Sequence, residues 1–267
     1  MAWLPMARPK GAAYEQIINH IWDEHFRDGM TEFVRREIIE AKEIVAPELD
    51  LNPGDVPYSY RYRRALPAKI LATQPQGLHW IIEGAGRSRY RFRLVPANRI
   101  VPNPALATIA IPDATPELIR AYTLDDEQAL LAIVRYNRLI DTFLGLTTYS
   151  LQNHLRTTVK GIGQIEIDEL YVGLDKRGCH YLIPVQAKGG RDQISVVQTT
   201  QDIRFVEQRF PGLLCRAISA QFMEAGIVAL FELTLQDSQV RVVEERHFKL
   251  VPADRIDPVA IRNYRDA

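Results

Sequence analysis

The segment Gly161-Ile-Gly-Gln-Ile-Glu-Ile-Asp168 alternates apolar and polar side chains with a period of two residues. That period belongs to an extended strand with one face in a core and the other turned outward. Ile165 and Ile167 take the inner face, and Glu166 and Asp168 share the other. Gln186 follows Asp168 by eighteen residues, in Val185-Gln-Ala-Lys188, where Gln186 and Lys188 share a face by the same rule. A hairpin turning near Asp175 to Gly178 would set the two strands side by side. An Asp, an amide oxygen and an ammonium would then converge at one end of a sheet.

The surrounding pattern gives that sheet its layers. Helical spacing of apolar residues runs from Pro116 to about Leu146, and a further helix is expected over Ser150 to Thr158. Strands are expected at Gln164 to Val172 and His180 to Ala187, a helix at about Gln193 to Phe210, and strands near Leu214 to Gln221, Ile227 to Leu235 and Val240 to Val243. This α-β-β-α-β-β order predicts an α/β (α+β) domain over residues 117–267, a mixed sheet flanked by helices.

Phosphodiester hydrolysis needs the groups that converge here. A divalent cation must neutralise charge on the scissile phosphate and lower the pKa of an attacking water. Mg²⁺ prefers oxygen ligands and keeps several waters, so one carboxylate and a few weaker oxygens suffice. Asp168 is the expected principal ligand, Gln186 an auxiliary oxygen ligand, and Lys188 a cation that orients the water and stabilises charge in the transition state. Glu166, on the Asp168 face, is a further candidate. The expected cofactor is Mg²⁺ or Mn²⁺.

The set Asp168, Gln186 and Lys188 resembles the PD-(D/E)XK nuclease superfamily, and its Gln-Ala-Lys form is most similar to the Mrr-like restriction enzymes, where glutamine replaces the usual acid. The likeness covers about residues 145 to 235 and extends to a helix carrying Val196, Val197 and Phe205. It implies a restriction-endonuclease-like core, metal-dependent cleavage of double-stranded DNA, and a homodimer when both strands are cut. Members of that superfamily commonly carry an acid on the helix before the Asp strand. The expected helix at Ser150 to Thr158 offers Gln152 and no carboxylate, and Asp141 and Glu127 lie further upstream. The alternative is a DNA-binding regulator that retains the fold without catalysis.

The first hundred residues carry a different signal. Between Leu51 and Ile100 nine Lys or Arg face two acids, Asp55 and Glu83, although the whole chain has a formal net charge of zero. Such a local field attracts polyanions. Helical spacing is expected at Tyr14 to Phe26, from an N-cap at Thr31 to Pro47, and at Tyr58 to Thr73, where Pro67 kinks or splits the element. Two strands follow, Leu78 to Glu83 and Arg87 to Val95, and in the second Arg87, Arg89, Arg91 and Arg93 alternate onto one face. Three helices and a basic hairpin predict a winged-helix-like DNA-binding domain over residues 10–100. Ser59, Arg61, Arg63, Arg64 and Lys69 are then expected on or beside the recognition helix, with the arginine strand as the wing. Residues 101–116 are expected to be a proline-rich linker.

Other chemistry finds little footing. The six histidines have no ligand spacing, Ser195 lacks a nucleophile's surroundings, and the two cysteines, Cys179 and Cys215, are expected to be small buried hydrophobes. Met1 to Gly11 has no signal-like apolar run, and no window approaches the ~18 to 20 apolar residues of a membrane span. A reducing cytoplasm and no membrane partner are the expectation. A local repeat, Phe92-Arg-Leu-Val-Pro-Ala-Asn-Arg-Ile100 and Phe248-Lys-Leu-Val-Pro-Ala-Asp-Arg-Ile256, is read as a recurring strand exit.

Overall fold

Ile17, Ile18, Ile21 and Trp22 recur at helical spacing along α1 (Lys10–Arg27), and all four are buried. They form one side of a core closed by Phe33 of β1 (Glu32–Val34), Ile38 of α2 (Arg35–Val45), Val56 of α3 (Asp55–Tyr62) and Ile70 of α4 (Ala68–Leu71). Trp80 and Ile82 of β2 (His79–Gly86) and Phe92 of β3 (Arg89–Val95) complete it. The Trp22 ring meets Trp80 edge-on at 5.1 Å and Phe92 at 4.8 Å. The three strands form one sheet in the order β1-β3-β2.

Two details depart from the expectation, at Thr31 and at Arg87, while Pro67 splits its element, one of the two outcomes expected. Thr31 caps no helix: β1 comes first, and α2 starts after Val34, whose backbone N–H is taken up by Glu37 Oε2 at 2.6 Å. Pro67 divides the stretch from Tyr58 to Thr73 into the end of α3 and the short α4. Arg87 lies in the β2–β3 turn, where Ser88 has φ 57°, so the shared strand face holds Arg89, Arg91 and Arg93.

This computed structural model describes residues 10–27, 29–122, 127–189 and 192–265. The readings on residues 1–9, on 123–126 of the long helical stretch, and on Gly190 fall outside them. Residues up to Asn98, with Thr158–Gln164, make one unit; Arg99–Thr157 and Ile165–Ala267 make the other.

In the second unit β4 (Arg99–Ile100) and β5 (Thr108–Pro112) lie where a linker is expected. β5 is a working strand, paired in parallel with a later one, so the proline-rich segment is tied to the sheet. The long helical stretch is three pieces: α5 (Glu117–Tyr122), α6 (Glu127–Tyr136) and α7 (Leu139–Leu144). The expected helix from Ser150 to Thr158 is instead a strand, β6 (Thr147–Val159). Its threonines and valine favour a pleated surface, and Gly145, at φ 65°, ends α7 just before it.

Then follow β7 (Gly163–Leu174), β8 (His180–Lys188), β9 (Ile194–Ser195), α8 (Val196–Arg209), β10 (Leu214–Cys215), β11 (Ala217–Met223), β12 (Ile227–Gln236), β13 (Gln239–Val251) and α9 (Pro258–Arg265). The main sheet runs β5-β13-β12-β11-β8-β7-β6, with β10 beside β8. β7 and β8 are antiparallel, while β8 and β11 are parallel and joined through α8. Leu130, Leu131 and Val134 of α6, with Ile140 and Phe143 of α7, cover Ile183, Val185 and Ala187 on one face. The opposite face carries Gln186 and lies toward α8, which packs on β8, β11 and β12. Both copies of the local repeat do end a strand, with Phe92 and Phe248 buried at the start of each. Among the described residues no helix is long and apolar enough to cross a membrane.

Candidate functional site

Paired residues between β7 and β8 run from Leu174 opposite His180 to Glu169 opposite Val185, and there the ladder ends. β8 continues to pair with β11 as far as Lys188 opposite Gln221. At the point of parting a side chain takes over: Asp168 Oδ2 accepts the Ala187 N–H at 3.0 Å. Asp168 and the Gln186-Ala187-Lys188 run are therefore brought together, as the alternation predicts. The hairpin turns where expected, with Asp175 Oδ1 accepting the N–H groups of Arg177 and Cys179.

Glu127, the first residue of α6, reaches the same place. Its Oε1 accepts from Lys188 Nζ at 3.0 Å. Asp141 does not reach it: one carboxylate oxygen caps the Thr148 N–H and the other pairs with Arg138. Glu166 is held by Arg156, with Nε 3.1 Å from its Oε2, so its face of β7 is shared but its charge is engaged elsewhere. Burial raises the Asp168 carboxyl above its usual range; the Ala187 N–H and the Lys188 ammonium pull the other way, while Glu127 and Glu166 add to the rise.

A further carboxyl lies behind these groups. Asp202, on the inner side of α8, is 2% exposed, and Gln186 is 1% exposed. Burial, with the Asp168 charge second, holds the Asp202 carboxyl well above the usual range, while the Gln186 amide and Lys188 favour its charged form. Even so, Asp202 Oδ1 and both amide atoms of Gln186 lack a hydrogen bond of good geometry. Asp202 went unread in the sequence. The signal available was a polar residue in register with Ser195, Thr199 and Val206, the buried side of α8.

The neighbouring Glu169 belongs to the frame rather than the site. It is wholly buried and receives Arg135 Nε at 3.0 Å, Arg135 Nη2 at 2.6 Å, Ser150 Oγ at 2.6 Å and Tyr171 Oη at 2.8 Å. Ser195 is also structural, accepting from Arg99 Nη1 at 3.2 Å. The cysteines depart from expectation: Cys179 is exposed in the hairpin, and Cys215 is partly buried, its thiol pushed up to about 12 by burial.

In the first unit the predicted contact residues divide. Ser59 and Arg61 are buried, with the Arg61 guanidinium 4.8 Å from the Tyr62 ring, so they face inward. Lys69 is paired with Asp23 at 2.6 Å. Arg89 pairs with Glu32, and Arg91 and Arg93 share Glu83. Arg63, stacked over Tyr58, and Arg64 and Arg87 are exposed. The nine-to-two excess of cations is thus smaller in space than along the chain, because Glu32 and Asp23 come in from outside the counted window.

Among the described residues, no three His, Cys, Asp or Glu side chains are grouped as a metal site. The oxygen donors at the parting of β7 and β8 are two carboxylates, Asp168 and Glu127, and the Gln186 amide. Comparison with family models, with curated proteins and with solved structures finds no match to this chain.

Proposed function

We propose that this chain is a metal-dependent DNA endonuclease with Asp168, Gln186, Lys188 and Glu127 as its active site. The observation that carries the reading is the meeting of Asp168 with the Gln186-Ala187-Lys188 run, and of Glu127 with Lys188, where β7 and β8 part. The order α6-α7-β6-β7-β8-β9-α8-β10-β11, with β8 and β11 parallel, supports the restriction-endonuclease-like reading of this unit. Glu127 supplies, from α6, the helix acid that Ser150 to Thr158 lacks.

The donors suit Mg²⁺ or Mn²⁺. A buried amide oxygen with no partner, Gln186 Oε1, is an unsatisfied acceptor that a hard cation would take, and Asp168 and Glu127 supply the charge. Bound there, the metal would lower the pKa of a water and offset phosphate charge. Lys188 holds its ammonium beside Glu127, where it can donate to a phosphate oxygen and stabilise charge that develops on it. The burial of Gln186 and Lys188 keeps bulk water from screening that interaction.

Duplex DNA is the proposed substrate, held by the first unit. The order α1-β1-α2-α3-α4-β2-β3, with α4 a short turn of helix and β1 beside β3, supports a winged-helix-like module. Exposed Arg63, Arg64 and Arg87 are its available phosphate contacts. The pair of Arg89 with Glu32 is solvent-exposed and stabilises little, so a phosphate can displace the carboxylate. Two copies would cut both strands.

The test is cleavage of methylated and unmethylated plasmid with Mg²⁺ or Mn²⁺ by wild type, Asp168→Ala and Lys188→Ala. Metal-dependent cutting that vanishes in both variants is expected. Tight duplex binding without cutting of either plasmid would favour the regulator instead.

A further inference from the structure

We infer that Arg135 is a positioning residue, whose ion pair with Glu169 sets the pose of α6 and so brings Glu127 to Lys188 and the cation. This rests on the function proposed above. α6 carries Glu127 as its first residue and Arg135 eight residues on. That is about 12 Å along the axis and about 80° around it, so both side chains leave the same half of the helix. Between them Leu130, Leu131 and Val134 share one core with Ile183, Val185 and Ala187 of β8.

The Arg135 end is fixed by direction as well as by burial. Its Nε at 3.0 Å and Nη2 at 2.6 Å both donate to Glu169 Oε1. Glu169 has no solvent exposure and is itself held from two strands. Ser150 Oγ of β6 donates to Oε1 at 2.6 Å, and Tyr171 Oη of β7 donates to Oε2 at 2.8 Å. Apolar burial is non-directional, whereas a charge-assisted hydrogen bond has a set geometry. The ion pair therefore fixes the turn and slide of α6 that its leucines leave free.

The spans on helix and strand agree. Glu169 lies opposite Val185, and Lys188 is three residues further along β8. Those three residues cover about 10 Å, close to the helical rise from Arg135 to Glu127. A helix clasped at Glu169 thus delivers its first residue beside Lys188, where Glu127 Oε1 accepts from Nζ at 3.0 Å. Consecutive residues of β7 divide the work, since Asp168 and Glu169 point to opposite faces. Asp168 enters the site, and Glu169 holds the helix that brings the second carboxylate. A wholly buried charge is a costly way to fill a core, and an apolar pair would pack the helix as firmly. What the ion pair adds is a fixed pose, and a site needs its groups held to within about 0.5 Å.

The experiment is Mn²⁺ titration of the full chain, with free Mn²⁺ followed by electron paramagnetic resonance. It uses wild type, Arg135→Ala, Arg135→Lys, Glu127→Gln, and Glu127→Gln combined with each Arg135 change. Thermal unfolding in EDTA sets a temperature at which the variants are folded. Arg135→Ala should weaken Mn²⁺ binding about tenfold, the lower end of the range seen when a partner of a metal ligand is removed. Arg135→Lys keeps the charge but replaces the planar fork by a point donor, and should lose about threefold. It carries the test alone if Arg135→Ala does not fold. Glu127→Gln should also weaken binding, and adding either Arg135 change should then cost less than about twofold more, because Arg135 acts through Glu127. If wild type binds Mn²⁺ and cuts DNA while the folded Arg135 variants bind Mn²⁺ equally well, positioning is overturned and the nuclease stands. Losses of the same factor with and without the Glu127 carboxylate overturn it too, since the effect then bypasses Glu127. A wild type that neither binds Mn²⁺ nor cuts removes the function and this role with it.

Discussion

Replacing Arg135 by alanine should destabilise the fold more than neutralising the acid it serves. Glu169 has no solvent exposure, and two of its four donor contacts come from Arg135. Hydrogen bonds to a charged group stabilise by about 1.5–3 kcal/mol each, and removing one partner of a buried pair costs about 3–5 kcal/mol. The Arg135 side chain is 40% exposed, so water can enter the vacated space, and the lower end, about 3 kcal/mol, is the expectation. Glu169→Gln can leave its oxygen at the Oε1 position for Ser150, the Tyr171 hydroxyl that reaches Oε2 can turn to accept from the new amide nitrogen, and the half-exposed guanidinium can turn to water. Its cost should be about 1–2 kcal/mol. With both changes made, the loss should fall short of the sum by about 1–2 kcal/mol, because each single change strands the other group. Urea unfolding with EDTA present measures all three from the midpoint, provided the slope is unchanged. An Arg135→Ala variant no less stable than Glu169→Gln, or additive losses, would refute the claim that a carboxylate is left stranded. The matter reaches the site, since Glu169 is the last residue of β7 paired with β8 and Asp168 is the next along.

Three further outcomes follow from the same structure. Lys188→Met should slow cleavage by about a hundredfold or more while leaving Mn²⁺ affinity and folding close to wild type, because Glu127 is 39% exposed and can hydrate; plasmid nicking and Mn²⁺ titration separate the two effects. Gly84→Ala would drive a Cβ into the Ile162 carbonyl oxygen, so backbone must move, and a loss of about 1–3 kcal/mol is expected in urea unfolding. Asp175 is held below the usual carboxylate range, first by the Cys179 N–H and with help from Arg177 and Tyr181. Its folded pKa lies below its unfolded one, so its stabilisation is present above the ordinary carboxylate pKa and is lost as pH falls through the folded value. Asp175→Asn should therefore lower the unfolding temperature at neutral pH, with the gap closing in acid.

How much of this could be read beforehand depends on how local each signal is. Ile165, Glu166, Ile167 and Asp168 declare a strand within four residues, and β7 lies there. β6 misleads because Leu151, Leu155 and Val159 recur every fourth residue and mimic a helical stripe, yet Leu151 is exposed and no stripe is buried. The threonines were the better guide. Arg89, Arg91 and Arg93 do share a face, but their partner Glu32 lies 57 residues from Arg89, so the pairing shows up in the fold alone. The same holds for Glu127, which meets Lys188 across 61 residues. Asp202 was hidden by a different cause. Ser195, Thr199 and Asp202 look like the wet side of α8 and are its dry side, and polarity misreports burial wherever a polar group serves a site.

That inversion bears on which reading of the chain is stronger. Asp168 and Glu127 arrive from two different elements at a strand end whose own side chains are an amide and an ammonium, and Asp202 is buried on α8, which packs on that strand. Burial opposes charge on Asp168 and Asp202, so this arrangement works against the fold. A regulator that retains the fold would gain from apolar side chains at 186 and 202, which need no partners. On the proposed function, Asp168 and Glu127 beside one lysine leave room for the positive charge of a divalent cation. A variant that removes one of these charges, such as Asp168→Asn, should therefore fold at least as well as wild type in EDTA and yet hold Mn²⁺ less tightly. Stability and metal affinity moving in opposite directions is the signature of a site maintained for chemistry, and a plain structural role predicts that they move together.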